Sequence, residues 1–278
     1  TGKSRMIGLV VAYLDNYFYP EALELLSSAL QKKGYHVLIF MSGNKEGDIA
    51  DAVDEILDYQ VDGIIAASVS MSSDLAKRCT SAGVPVVLFN RTQDDDRLSA
   101  VTSDNFQGGQ KVARFLLAGG HKRIGYIAGW EGASTQRDRE KGFTEELVRN
   151  GQELYAREVG NFNSDEARQA ARTMFSKQNF PDAVFVANDA MAIAVIDVIR
   201  FELGLQVPEQ VSVVGYDDVP ISSWPAYDLT TVRQPANRMV AETVSILIES
   251  IENKTTTARR IEIDGPLMVR GSAKISDK

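Results

Sequence analysis

The chain has 278 residues, 44% of them apolar and 24% charged, the balance of a globular protein large enough to divide into two domains on one polypeptide. Its 38 acidic and 30 basic side chains leave a formal charge of −8, which argues against this segment holding nucleic acid by phosphate neutralisation, since that needs a basic face. The single cysteine, Cys79, excludes an internal disulfide and reads as a small buried hydrophobe, and no apolar run approaches the length of a membrane span.

Apolar periodicity predicts a regular alternation of strand and helix. The first series is strand Met6–Ala12, helix Pro20–Lys33, strand Tyr35–Phe40, helix Lys45–Tyr59, strand Gly63–Ala67, helix Ser72–Ala82, strand Val84–Phe89, strand Ala100–Ser103 and helix Phe106–Ala118. Gly34 and Gly83 stand just past helix ends, where a C-terminal cap turns left-handed, and Pro85 opens a strand, where its missing N–H is tolerated. After Gly119-Gly120 a second series runs: strand Arg123–Ala128, helix Ser134–Asn150, strand Tyr155–Gly160, helix Ser164–Ser176, strand Ala183–Ala187, helix Ala190–Leu203 and strand Val211–Tyr216. Right-handed crossovers make this two successive Rossmann-like halves with helices on both sheet faces. The tail adds strand Leu229–Val232, helix Pro235–Asn253 and strands Arg259–Ile263 and Leu267–Arg270. That is too little for a third domain, so these elements must dock on the existing sheets, and the chain must cross between lobes more than once.

Two stretches indicate where function lies. Asp182-Ala-Val-Phe-Val-Ala-Asn-Asp189 and Val211-Ser-Val-Val-Gly-Tyr-Asp-Asp218 are buried-strand runs that end abruptly in polar side chains. Ligands of open α/β sheets bind beyond the carboxyl ends of the strands, so these residues are site candidates.

The run Val213-Val-Gly-Tyr-Asp-Asp218, followed by Tyr227-Asp-Leu-Thr-Thr-Val-Arg-Gln-Pro235, resembles the effector-binding domain of the lactose/galactose repressor family of bacterial transcription regulators. So do Val101-Thr-Ser-Asp-Asn105 with Gly108-Gly109, Gly120-His-Lys-Arg-Ile-Gly-Tyr-Ile-Ala-Gly129, Arg137-Asp-Arg-Glu-Lys-Gly-Phe143 and Val186-Ala-Asn-Asp-Ala-Met-Ala192; the match runs from Arg5 to about Gly271 in the family's order. The resemblance implies an α/β fold of two Rossmann-like lobes with parallel sheets joined by three crossover segments, the type I periplasmic-binding-protein arrangement. The N-lobe would hold residues 1–120 and 234–263 and the C-lobe 121–233 and 264–278, with crossings near Gly120, Arg233 and Asp264-Gly265. It implies a cytoplasmic homodimer that binds a small-molecule effector, a sugar, and meets operator DNA only through an N-terminal helix-turn-helix headpiece. That headpiece is absent here, because Thr1-Gly-Lys-Ser-Arg5 resembles the end of the family's linker. The alternative is an exported sugar-binding protein serving a transporter; a headpiece or a signal peptide upstream of Thr1 separates the two.

The resemblance also assigns residues. Asp217 matches the aspartate that accepts hydrogen bonds from ligand hydroxyls or amines, as a carboxylate facing vicinal hydroxyls can. Asp218 is expected to cap a turn. Asn188 resembles the family's ligand-facing amide, and Asp189 is expected to be the N-cap of the following helix. Arg137 matches the arginine pointed at the ligand, leaving Arg139 to a surface ion pair with Glu140 or Glu131. Asp104 is either a ligand contact or the cap of the helix from Phe106. Asn16, Tyr17 and Phe18 follow the first strand, where the family supplies aromatic or polar contacts; Trp224, and after it Trp130, are further stacking candidates.

Enzymatic alternatives find little support. No G-x-G-x-x-G follows the first strand, and Gly2-Lys3-Ser4 precedes that strand, so it does not form a phosphate loop. His36 and His121, the only histidines, stand where strands begin, on the opposite edge from the polar cluster, and supply neither a general base there nor a metal cluster. Asp94-Asp-Asp96 reads as a solvated turn. No catalytic role, cofactor or metal is expected.

Overall fold

A computed structural model describes residues 4–12, 14–42, 46–69, 71–93, 97–176, 178–253 and 257–275. The expectations placed on Gly2-Lys3, Lys45 and Asp94-Asp-Asp96 lie outside the described residues. The chain divides into two compact units, Thr1–Ser103 with Pro235–Ile263 and Asp104–Gln234 with Asp264–Lys278.

Unit 1 contains β1 (Met6–Val11), α1 (Phe18–Lys32), β2 (His36–Met41), α2 (Glu46–Asp58), β3 (Gly63–Ala67), α3 (Ser73–Ser81), β4 (Val86–Phe89) and β5 (Ser99–Ser103). Its sheet runs β2-β1-β3-β4-β5 and is completed by a strand from the tail, Arg260–Ile263, paired parallel to β5. Every residue of β3 and β4 is buried, as both-face coverage of a parallel sheet demands. Gly34 and Gly83 take φ of +81° and +73°, the left-handed cap that a Cβ would strain. Cys79 is fully buried, and burial pushes its thiol up to about 11, so it serves as core.

Unit 2 starts with α4 (Asn105–Ala118) and continues through β6 (Ile124–Ala128), α5 (Ser134–Arg149), β7 (Ala156–Val159), α6 (Ser164–Phe175), β8 (Ala183–Val186), α7 (Asp189–Asp197), β9 (Ser212–Asp217) and β10 (Thr230–Arg233). Its sheet repeats the order of unit 1: β7-β6-β8-β9-β10, closed by a short tail strand, Leu267–Met268. That tail strand pairs antiparallel, the one departure from the expected parallel sheets among the described residues. The helix expected to run to Leu203 instead leaves α-geometry after Asp197 and forms a π-helical turn over Val198–Glu202.

The division at Ser103 places α4 with unit 2, whereas the N-lobe expected from the sequence extends to residue 120. The physical reason is glycine. A Cβ on Gly109 would lie 2.1 Å from the Arg139 carbonyl oxygen, and one on Gly142 would lie 2.0 Å from that of Phe106. α4 and α5 therefore pack backbone against backbone, which no other residue type at those positions would allow. In the tail, α8 (Ala236–Asn253) packs on α1, β3, β4 and β5, which makes it part of unit 1. No helix among the described residues is long and apolar enough to cross a membrane.

Candidate functional site

At the carboxyl edge of the unit 2 sheet, β8 passes through Ala187 into Asn188, and β9 ends at Asp217. The strand order reverses between β6 and β8, the usual ligand position in such sheets, and β9 is the next strand along. Asp217 is 3% exposed and takes φ of +125°, far from any region that suits a side chain; Asp218 follows at +60°. Backbone strain of this kind costs roughly 1–3 kcal/mol per residue and persists only where the surroundings over-determine it. The Asp217 carboxylate accepts a 2.7 Å hydrogen bond from Gln234 Nε2 and lies 3.7 Å from Arg139 Nη2.

Arg139 is the organising cation. It is 2% exposed, donates from Nε to Asn105 Oδ1 (2.8 Å) and from Nη1 to the Ala187 carbonyl (2.6 Å), and lays its guanidinium 3.7 Å from the Tyr216 ring centre. The burial expected of the two arginines is thus reversed. Arg137 is about half exposed and pairs with its neighbour Asp138. The surface acids Glu131 and Glu140 pair instead with Arg157, whose guanidinium these contacts hold firmly charged. Residues two apart on a helix face opposite ways, so only one of the two arginines could point inward. Arg139 lies four and eight residues before Phe143 and Leu147 on the buried stripe of α5, a pattern visible in the sequence that marks it as the inward-facing one.

Three other assignments change. Asn188, not Asp189, is the N-cap of α7, its Oδ1 accepting from Met191 N at 3.0 Å. Asp189 is the first helical residue and completely buried. Asp218 caps no turn; its two oxygens accept from Arg233 Nε (2.7 Å) and Arg270 Nη2 (2.6 Å). Asp104 takes the capping option: Oδ1 accepts from Gln107 N and Oδ2 from Gln107 Nε2, both at 2.9 Å. Trp224 sits at the far end of the 3₁₀ turn Pro220–Ser223, 56% exposed, and Trp130 folds over Gly132. A platform missing from the sequence reading is Phe162, which packs on Gly129 just beyond β6. It and Asn161 take φ of +57° and +53°, strained for such residues.

The carboxyl edge of the unit 1 sheet has its own set. Asn16 is 8% exposed, and its Oδ1 accepts from Phe18 N, which opens α1; Tyr17 is 57% exposed beside it. Phe18, at 2% exposure, stacks on Phe89, with ring centres 6.2 Å apart and planes 9° from parallel, and packs in the core. Ser68 follows β3 and Asn90 follows β4, with φ of +58° and +69°. Asn90 donates to Tyr19 Oη at 2.9 Å, while its Oδ1 and the Ser68 Oγ are buried without a hydrogen-bond partner among the described residues. Arg91, the next residue, is 2% exposed. The strand-end rule that singled out Asp217 applies equally to Ser68 and Asn90, so both were within reach of the sequence.

His121 lies at the amino side of the unit 2 sheet, 4% exposed in its side chain, with Nδ1 3.2 Å from Asp182 Oδ1; burial lowers its pKa against the pull of that carboxylate. Among the described residues no cluster of His, Cys, Asp or Glu could hold a metal ion.

Comparison with known proteins places this geometry. The family model described as "Periplasmic binding protein-like domain" matches residues 113–273. Over 276 residues the chain is 29% identical to the HTH-type transcriptional repressor PurR of Pasteurella multocida (strain Pm70), covering 98% of this chain and 82% of that protein. A solved complex of the transcriptional regulator CelR with cellobiose superposes with a TM-score of 0.88 at 30% identity, covering 97% of this chain and 85% of that one. The lac repressor dimer bound to operator and the anti-inducer ONPF shares the fold, with a TM-score of 0.88 at 24% identity over 98% of this chain and 95% of that one.

Proposed function

The chain belongs to the lactose/galactose repressor family, as its periplasmic-binding-protein-like effector-binding domain, and from that premise we propose that its effector is a sugar held through Asp217 and Arg139. The observation that carries this reading is the buried pair itself. A carboxylate 1% exposed in its side chain stands on a strained strand end, 3.7 Å from a guanidinium fixed by Asn105 and Ala187. A carboxylate beside a forked donor suits a ring of hydroxyls, each of which both donates and accepts. Phe162 offers the apolar face that sugar C–H surfaces stack on. The cellobiose carried by the CelR complex supports the same ligand class. Asn188 and Gln234 are the further contacts proposed on unit 2, and Asn16, Tyr17, Ser68 and Asn90 are the candidate contacts on the edge of unit 1, taken by itself. Arg137, Asp104 and Trp224 drop out of the contact set.

The family membership makes this a binding domain rather than an enzyme. The proposal extends to a cytoplasmic homodimer whose operator contact is made by a headpiece outside residues 1–278, with effector binding shifting the arrangement of the lobes and so the operator affinity. Supporting the dimer, each unit carries apolar side chains in the open. Ile39 and Met41 are both 54% exposed on edge strand β2, and Phe201 is 80% exposed on the π-helical turn; Arg200 joins that turn to the Trp224 loop by a 2.5 Å bond to the Ala226 carbonyl. Calorimetry with cellobiose and with ribose tests the site: binding by the wild type that is lost in Asp217→Ala and retained in Arg137→Ala supports it. Equal affinity in all three proteins would refute it.

A further inference from the structure

Asp189 does none of the work expected of it, and its actual bonds are unusual. The carboxylate is entirely buried, and both oxygens are engaged. Oδ2 accepts from Val219 N (3.0 Å) and Ser222 Oγ (2.7 Å); Oδ1 accepts from Thr231 Oγ1 (2.6 Å). On its remaining side it lies against Gly215, where a Cβ would stand 2.3 Å from Oδ1. One side chain thus links the first residue of α7 to β9, to the 3₁₀ turn and to β10. Enclosed by those attachments are Asp217 and Asp218, two consecutive residues with positive φ. Upstream of them Asp189 touches Gly215; downstream it holds the Val219 amide. We propose that Asp189 is the positioning residue of the effector site, a buried strut that keeps the Asp217–Ser222 turn in its strained form and thereby aims the Asp217 carboxylate. The inference rests on the effector reading for its consequence but not for its geometry.

Shape rather than charge should carry this role. Burial, and next the neighbouring Asp217, push the Asp189 carboxyl up to about 7, so its neutral form is within reach. The charged groups facing it are Asp217 on β9 and, beyond Asp217, Arg139 on α5; β10 and the 3₁₀ turn contribute only hydroxyls and an amide. A protonated Asp189, or an asparagine, can donate to Thr231 Oγ1 from one arm and accept from Val219 N and Ser222 Oγ with the other. Alanine can do neither.

The test is amide hydrogen exchange in residues 217–224 of the wild type, Asp189→Asn and Asp189→Ala. We expect exchange at Val219 to rise at least tenfold in Asp189→Ala and to stay within about threefold of the wild type in Asp189→Asn, reflecting the loss or retention of its acceptor. Unchanged exchange in Asp189→Ala overturns the proposal, and so does equal opening in both variants, which would make charge the agent. Should Asp189→Ala fail to fold, Ser222→Ala removes one arm of the strut and must raise exchange in the same segment; unchanged exchange there is equally fatal. Cellobiose titration of the same proteins separates the two readings. Turn opening in Asp189→Ala with full cellobiose affinity leaves the strut standing and removes Asp217 from the effector site.

Discussion

At the carboxyl edge of unit 2, four charged side chains, Arg139, Asp189, Asp217 and Asp218, are each tied to named partners within the unit. The matching edge of unit 1, built by the same strand order, ends β3 and β4 in Ser68 and Asn90, neutral residues that keep a buried oxygen without a partner. The first edge is preorganised by its own bonds. The second holds unmet hydrogen-bonding capacity, at about 1–3 kcal/mol for each desolvated group, which a hydroxyl-bearing ligand or a water would relieve. The two edges thus differ in how much of their hydrogen bonding is met from within their own unit.

The largest effect that would break this comparison is at Arg139. Arg139→Ala leaves Asp217 buried beside an empty position and deprives Asn105 and the Ala187 carbonyl of their donor; a cost of about 3–5 kcal/mol in urea unfolding is expected, together with loss of effector binding. Arg137→Ala, two residues away on the exposed face, should change stability by no more than about 0.5 kcal/mol. Similar costs for both would mean that the unit 2 edge is not held by Arg139.

Ser68→Ala sharpens the contrast from the other side. It removes a buried hydroxyl that has no partner, so unfolding without ligand should show unchanged or higher stability, by up to about 1 kcal/mol, while sugar affinity falls by about 1 kcal/mol. A mutant less stable by more than that amount would show that the unit 1 edge is as internally satisfied as the unit 2 edge.

The pH dependence of stability separates two buried groups of unit 2. Asp189 has its folded pKa raised from 3.8 to about 7, so between those values the folded state holds more protons than the unfolded, and the Asp189 contribution to stability falls as pH rises. His121 has its folded pKa lowered from 6.5, so its contribution is present above that value and lost as pH falls through the folded pKa. Unfolding free energies from pH 4 to 8 should therefore lose their downward slope in Asp189→Asn, at most about 1.4 kcal/mol per pH unit, and keep the His121 rise. An unchanged profile would contradict the burial of an ionisable Asp189. The smallest expected effect on the fold is that of Phe201→Glu: because the ring is 80% exposed, thermal stability of the subunit should move by about 0.5 kcal/mol or less, while sedimentation should report dissociation of the proposed dimer.

Most of the fold was legible because buried parallel strands such as Gly63–Ala67 and Val86–Phe89 are unbroken apolar runs, and Gly34 and Gly83 mark helix ends. The buried polar strand end at Asp217 was legible, since its position follows from strand polarity alone. The sequence misled where a decision depended on the direction of a side chain. Arg137 and Arg139 share one helix and one charge, and only the stripe through Phe143 and Leu147 tells which is buried. Asn188 and Asp189 are both good caps, and the choice fell to Asn188 because Asp189 is claimed by Val219, Ser222 and Thr231, contacts up to 42 residues away that no local pattern encodes. The place of α4 was hidden for a similar reason: the close approach of Gly109 and Gly142 joins two helices across the expected boundary at Gly120.

Thermal unfolding of the chain in the presence of cellobiose and of ribose tests the central claim most directly. A ligand at a hundred times its dissociation constant adds about 2.7 kcal/mol to stability, so the account predicts that one of the two sugars raises the melting temperature of the wild type and leaves that of Asp217→Ala unmoved. A melting temperature unaffected by either sugar, or a rise of the same size in Asp217→Ala, would contradict it.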